Sequence, residues 1–127
     1  MIHHIERYFR HSDPRGSIEG LIQWGTWKEI NLIRSEKNCV RGNHYHQNTI
    51  ELFIILEGII EVSTQGISNG TIINPPDVEQ VSTGDVFIIK PNIIHTFFTQ
   101  TAAIWINALS EPITSISPDI HYLPYKS

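Results

Sequence analysis

Three histidines and one glutamate stand in an order that β-strands can gather around one metal ion. They are His44 and His46, then Glu51, then the distant His95. Imidazole nitrogens and a carboxylate oxygen make a mixed donor set that suits zinc, iron, nickel or manganese. Any coordination position left open admits water or substrate, as catalysis requires. In a strand, residues two apart share a face, so His44 and His46 point the same way. Arg41, Asn43 and Tyr45 then point to the other face if the strand is regular that far back. Glu51 follows five residues after His46, and a short bend returns it to the same interior. On its strand Phe53 and Ile55 line that interior, while Leu52, Ile54 and Leu56 face away. His95 opens a later strand, and Phe97 shares its face and walls the pocket. Without a metal, the same ring of residues is a set of acid, base or sugar-binding groups. A lone strand histidine is more often a surface or satisfied core residue. The ordered set of four is what points to a site.

The elements that must position these residues read as strands. Twenty-three of the 127 residues are isoleucine, and β-branched side chains favour pleated surfaces. Candidate strands run over residues 20–24, 27–34, 42–46, 50–56, 59–64, 70–74, 77–81, 85–90, 95–100 and 103–109. Turn signals at Glu57-Gly58, Gly66 to Gly70, Pro75-Pro76, Thr83-Gly84 and Pro91-Asn92 separate them. No segment keeps a helical period for three turns. Many short strands at even spacing predict an all-β barrel or sandwich. The length predicts one domain that hides roughly two-thirds of its unfolded surface. The expected organisation is an N-terminal arm or edge strand over 1–19, a barrel over 20–110, and an extended tail over 111–127. That tail holds Pro112, Pro118 and Pro124, and is expected to pack on the barrel or on a partner subunit.

Composition narrows the function classes. The formal charge is −4 and the nine Lys and Arg are scattered, which argues against nucleic acid as a partner. A phosphate-bearing small molecule stays open, because one or two arginines in a cleft suffice. The single Cys39 excludes an internal disulfide framework. No apolar run approaches the roughly 18 to 20 residues that span a bilayer. No signal peptide is visible at the N-terminus, so the expected location is cytoplasmic.

At these residues the chain resembles the cupin superfamily, which implies a single-domain cupin double-stranded β-helix, a jelly-roll barrel. His44, His46, Glu51 and Gly58 match the spacing of its first motif, and Gly84, Pro91 and His95 follow the order of its second. Asn38 stands where the first motif has its opening glycine. Asn92 replaces a second-motif glycine, and asparagine tolerates left-handed turns. Thr99 replaces the asparagine expected after the last histidine. The resemblance implies that His44, His46, Glu51 and His95 bind one divalent metal ion: zinc, nickel, manganese or iron.

A narrower resemblance bears on function. Asp13-Pro14-Arg15-Gly16, followed by Arg41-Gly42-Asn43-His44-Tyr45-His46, is similar to RmlC-like sugar-nucleotide cupins. These are the 3,4-ketoisomerases, the 3,5-epimerases and above all the cupin domain of bifunctional capsular polysaccharide enzymes. Trp105-Ile106-Asn107-Ala108 and Ser117-Pro118-Asp119-Ile120 resemble the end of that domain. The capsular enzymes carry a reductase domain beside the cupin; none is seen here, so a separate partner or independent action is expected. The resemblance implies an isomerase or epimerase acting on a 4-keto nucleotide sugar. His44, His46, His95 and Tyr45 are the catalytic candidates, with Glu19 a further proton-handling candidate. Arg15, Arg41, Asn43 and Phe97 are expected at the substrate, the arginines on a diphosphate. Trp24 and Trp27 either stack on a base or pack hydrophobically. A homodimer is expected, since small barrels cover exposed edges with a second copy. A metal-dependent dioxygenase and a non-catalytic small-molecule or sugar-binding cupin are the alternatives.

Overall fold

The computed structural model describes residues 1–113 and 118–123. Ser117 and Pro124, both part of the tail reading, lie outside the described residues. Twelve strands and no helix are found among the described residues. They are β1 (His3–His4), β2 (Phe9–Asp13), β3 (Gly16–Gly20), β4 (Glu29–Ser35), β5 (Val40–His44) and β6 (Glu51–Glu57). After these come β7 (Ile59–Ser68), β8 (Thr71–Ile72), β9 (Asp77–Ser82), β10 (Val86–Ile89), β11 (Ile93–Thr99) and β12 (Ala103–Leu109). Among the described residues no helix is long and apolar enough to cross a membrane.

Two antiparallel sheets make the barrel. One has the order β1-β10-β6-β12-β4; the other has the order β5-β11-β7, with β8 and β9 both paired to β7. From β4 to β7, and again from β9 to β12, successive strands alternate between the sheets. That alternation is the winding of a double-stranded β-helix, the expected jelly roll. The core lies between the sheets. Phe53, Ile55, Phe87, Ile89 and Trp105 meet Ile60, Val62, Val81, Ile93 and Phe97 from the facing layer. Period-two alternation places these residues inward, and burying each large apolar side chain contributes roughly 1.5–3 kcal/mol.

The outer face of the first sheet is covered as well. Leu52, Val86, Ile88 and Ala108 lie beneath Ile5, Leu21, Ile22 and Trp27. This accounts for the apolar residues on both faces of β6, although Leu56 at its end is exposed. The expected strand over residues 20–24 is a correction. The chain pairs one step earlier, as the β2–β3 hairpin, and 21–28 forms an irregular cover instead. Its apolar residues serve that cover rather than a pleat. Trp24 and Trp27 pack against each other with ring centroids 5.8 Å apart, and Trp27 joins the covering cluster.

Candidate active site

The site begins with a defect in a strand. In the β5–β11 pairing, His95 lies opposite His44 but Thr96 lies opposite Gly42, so Asn43 is an extra, unpaired residue. Gly42 has φ 95° and Asn43 φ 60°. A Cβ on Gly42 would stand 2.7 Å from the carbonyl oxygen of His95, so only glycine admits this close approach. The bulge reverses the facing of everything before it. Arg41 comes opposite Phe97 and lines the same pocket as His44. Arg41 would face away only on a regular strand; the bulge removes that condition, since regular alternation does not survive an inserted residue.

Two of the left-handed positions explain motif departures. Asn38 and Asn92 both have φ 62°, so asparagine takes up the geometry for which glycine is the usual choice. Buried Thr99 holds the turn before β5, donating its hydroxyl to Glu36 O at 2.6 Å and accepting from Cys39 N at 2.9 Å.

The four candidate ligands converge. Each of His44, His46, Glu51 and His95 offers one donor atom, and all four atoms lie within 4.8 Å of one another. His46, Glu51 and His95 are buried. His46 Nε2 is 2.5 Å from Glu51 Oε1, and His95 Nε2 is 3.4 Å from Glu51 Oε2. The opposite ring nitrogens are already committed. His46 Nδ1 donates to the Asp119 carbonyl at 2.5 Å, and His95 Nδ1 donates to the Ile93 carbonyl at 3.1 Å. Those bonds turn both Nε2 atoms toward the centre with their lone pairs available, as a metal requires. Buried His46 Nε2 also has no well-directed hydrogen-bond partner. The residues present therefore fit a divalent cation.

The charge states of three of the four groups agree with that reading. Burial lowers the His44 pKa to about 4, aided by the neighbouring His95, so its imidazole is neutral at physiological pH. Burial likewise lowers that of His95. On Glu51, burial favours the neutral acid, but His46, His95 and His44 together outweigh it and hold the carboxyl below its usual range. His46 is the exception: burial opposes its charge, yet the close Glu51 carboxylate and the nearby Asp119 raise its pKa, so an ion would have to displace a proton there.

A pocket of about 130 Å³ opens over the cluster. Ile33, Phe53, Phe97, Trp105 and Ile113 form apolar walls; Arg41 and Asn107 add polar groups. Arg41 is anchored through Nε to Ser35 Oγ at 2.5 Å and through a terminal nitrogen to Arg34 O at 3.2 Å.

Other candidates stand elsewhere. Tyr45 points away from the pocket into a small cluster with Ile67 and Ile94. Asn43 sits exposed on the bulge. Arg15 lies at the exposed β2–β3 turn, bonded to Asp13 at 2.7 Å. There Pro14-Arg15 closes a hairpin, and Asp13 Oδ1 accepts from Arg15 N at 2.9 Å. Glu19 sits within 3.5 Å of both Arg7 and Arg10 on that hairpin side.

Two residues escaped sequence reasoning. Asp119 clamps the loop between His46 and Glu51, its carboxylate accepting from Gln47 N, Asn48 N and Thr49 Oγ1 at 2.7–2.9 Å. Tyr122 sets its ring edge-on to His44, centroids 6.0 Å apart. The Asp119 segment was noted by resemblance, but its hydrogen bonds span about 70 residues and leave no local signal.

Residues 11–108 match the model of the polysaccharide biosynthesis C-terminal domain. A UDP-2-acetamido-2,6-beta-L-arabino-hexul-4-ose reductase of Pseudomonas aeruginosa is 27% identical over 60 residues, 47% of this chain and 16% of that protein. The capsular polysaccharide assembling protein CapF of Staphylococcus aureus superposes with TM-score 0.69 and 20% identity, over 92% of this chain and 32% of its own. The chain thus spans a third or less of both. The sugar 3,4-ketoisomerase QdtA of Thermoanaerobacterium thermosaccharolyticum, in complex with TDP, gives TM-score 0.68 and 16% identity, over 87% of this chain and 81% of its own. The dTDP-4-dehydrorhamnose 3,5-epimerase of Sulfolobus tokodaii gives 0.70 and 17%, over 84% and 68%. These structures share the RmlC-like cupin fold found here.

Proposed function

The chain belongs to the polysaccharide biosynthesis C-terminal domain family, and from that premise we propose that it isomerises or epimerises a 4-keto sugar carried on a nucleotide. The observation that carries the reading is a buried His44–His46–Glu51–His95 cluster beneath an aromatic-walled pocket with an arginine beside it. The names of similar proteins support the substrate class: one is a reductase of a UDP-linked hexul-4-ose, and one is a 3,4-ketoisomerase bound to TDP.

The chemistry is enolisation. A keto group makes the adjacent C–H acidic; removing that proton leaves negative charge on the keto oxygen, and returning it to another atom or face gives the isomer or epimer. His44, His46, Glu51 and His95 would hold one divalent ion, which supplies Lewis-acid stabilisation of that charge. The Nδ1 bonds of His46 and His95 keep their Nε2 atoms aimed at the centre. Phe53, Phe97 and Trp105 restrict bulk water at the pocket floor, which strengthens every charge interaction there. Arg41 offers its guanidinium to the diphosphate, a planar donor for phosphate oxygens. Tyr122, whose exposed ring packs edge-on to His44 outside the pocket lining, is the described tyrosine nearest the cluster and the candidate for moving the proton. A metal-free variant of the reading has one observation in its favour: Glu51 already pairs with His46 at 2.5 Å, leaving the neutral His44 imidazole to accept the substrate proton.

Incubation with dTDP-, UDP- and GDP-linked 4-keto sugars tests this, with protein loaded separately with zinc, nickel, manganese or iron. NMR of the products should show a 3-keto isomer or a C3 or C5 epimer for at least one substrate. No conversion across the panel overturns the reading. Oxygen consumption by the iron-loaded protein would instead favour a dioxygenase.

A further inference from the structure

The wall of the pocket on β12 carries polar groups that nothing among the described residues pairs. Asn107 and Trp105 share the inner face of β12, two residues apart, and both line the pocket. Asn107 is only 7% exposed and Trp105 1%. Buried Asn107 Nδ2 and Trp105 Nε1 have no hydrogen-bond partner among the described residues. Natural interiors rarely leave such donors empty, because a buried donor without a partner has lost its water with nothing in exchange.

Neighbouring groups do not relieve Asn107. On one side its cross-strand partner is Phe53, which has no acceptor. On the other it is Asn31, whose amide donates to Glu29 Oε2 at 2.9 Å. Glu29 Oε1 in turn accepts from Ile113 N at 3.1 Å. That small network reaches pocket-lining Ile113 and, among the described residues, does not take in Asn107. An apolar residue would fill the place at lower cost, yet an amide stands there, on the strand next to the one that carries Glu51 and in the same pocket lining.

We infer that Asn107 is a specificity-determining residue, whose side-chain amide donates to an acceptor oxygen on the sugar portion of the substrate. The inference rests on the nucleotide-sugar reading above. It adds which part of the ligand the β12 wall reads: the sugar, a hydroxyl- or carbonyl-bearing ring, rather than the nucleotide. The Trp105 indole N–H is a second donor on the same strand face. A site built to pair a buried amide discriminates strongly against a ligand that leaves the amide empty.

The test is Asn107→Leu, close in shape but without the amide, with Asn107→Val as a second variant. Binding of dTDP-, UDP- and GDP-linked 4-keto sugars and of the matching nucleoside diphosphates is measured by calorimetry, beside thermal unfolding. The variant should bind the sugar nucleotide about tenfold or more weaker than wild type. It should bind the bare diphosphate unchanged within about twofold, and melt at the same or a higher temperature. Equal sugar-nucleotide affinity in both proteins overturns the inference while leaving the function intact. So does marked destabilisation in both variants, since the amide would then have a partner within the fold. Failure of wild type to bind any sugar nucleotide overturns the function reading, and this inference with it.

Discussion

Replacing Asp119 by alanine separates the tail from the candidate metal centre. The Asp119 carboxylate accepts from Gln47 N at 2.8 Å, Asn48 N at 2.7 Å, Thr49 Oγ1 at 2.9 Å and His121 Nε2 at 2.8 Å. Bonds to an ionised acceptor contribute about 1.5–3 kcal/mol each when both partners are sheltered. Gln47 and Asn48 are exposed, so water re-solvates their N–H groups and the sum is far from additive. Buried Thr49 has no such relief. The expected net loss is about 2–3 kcal/mol. Asp119→Ala keeps the backbone carbonyl that fixes His46 Nδ1 but removes the carboxylate bonds that place it, and disturbing a group that orients a ligand typically costs about 10–100-fold in metal affinity. Urea unfolding at pH 7 and zinc competition with a chromophoric chelator measure the two effects.

The pH dependence adds a sign. The backbone donors and Thr49 hold the Asp119 carboxyl well below its ordinary value, against the opposing effect of burial. A depressed folded pKa contributes stability that is complete above the unfolded value, about 3.9. That stability is lost as pH falls below it toward the folded pKa. The gap between wild type and Asp119→Ala should therefore be constant from pH 7 to about 5 and narrow below about pH 4. A loss under about 0.5 kcal/mol at pH 7, with unchanged zinc affinity, would refute the clamp.

Further outcomes follow from the same geometry. Elemental analysis after gentle purification should find about one divalent ion per chain, and His46→Ala should lower zinc affinity by at least about 100-fold in competition titration. Zinc affinity of the wild type should fall as pH drops through the raised His46 pKa, because the ion must displace that proton; a flat profile from pH 8 to 6 would contradict the ligand assignment. Gly42→Ala forces a side chain against the His95 carbonyl at φ 95° and should cost about 1–3 kcal/mol in chemical unfolding. The chain should run as a dimer in light scattering, with Ile30→Lys plus Leu32→Lys on the exposed face of edge strand β4 yielding monomers.

Much of the site was legible because its information is local. His44 and His46 share a parity, Phe53 and Ile55 alternate inward from Glu51, and the turn before His95 carries Asn92 in the left-handed geometry that asparagine tolerates. The facing of Arg41 could not be read because a single unpaired residue, Asn43, shifts the register, and nothing in the alternation marks it. The β2–β3 hairpin was missed because its strands, Phe9–Asp13 and Gly16–Gly20, are largely polar and exposed. Without a buried face they carry no period-two signal. Asp119 and Tyr122 were out of reach for another reason. Their partners lie about 70 or more residues away, and a proline-containing extended segment leaves no periodic trace of where it docks.

Proton exchange beside the keto group is the earliest chemical step that the barrel must perform, whatever the final product. A 4-keto nucleotide sugar incubated with the metal-loaded protein in deuterated water, followed by NMR, reads that step directly. The account predicts deuterium entering the carbon next to the carbonyl with wild-type protein. His44→Asn and His95→Asn should slow that entry by about 100-fold or more. Absence of exchange with every dTDP-, UDP- and GDP-linked substrate, or exchange that persists undiminished in both variants, would contradict it.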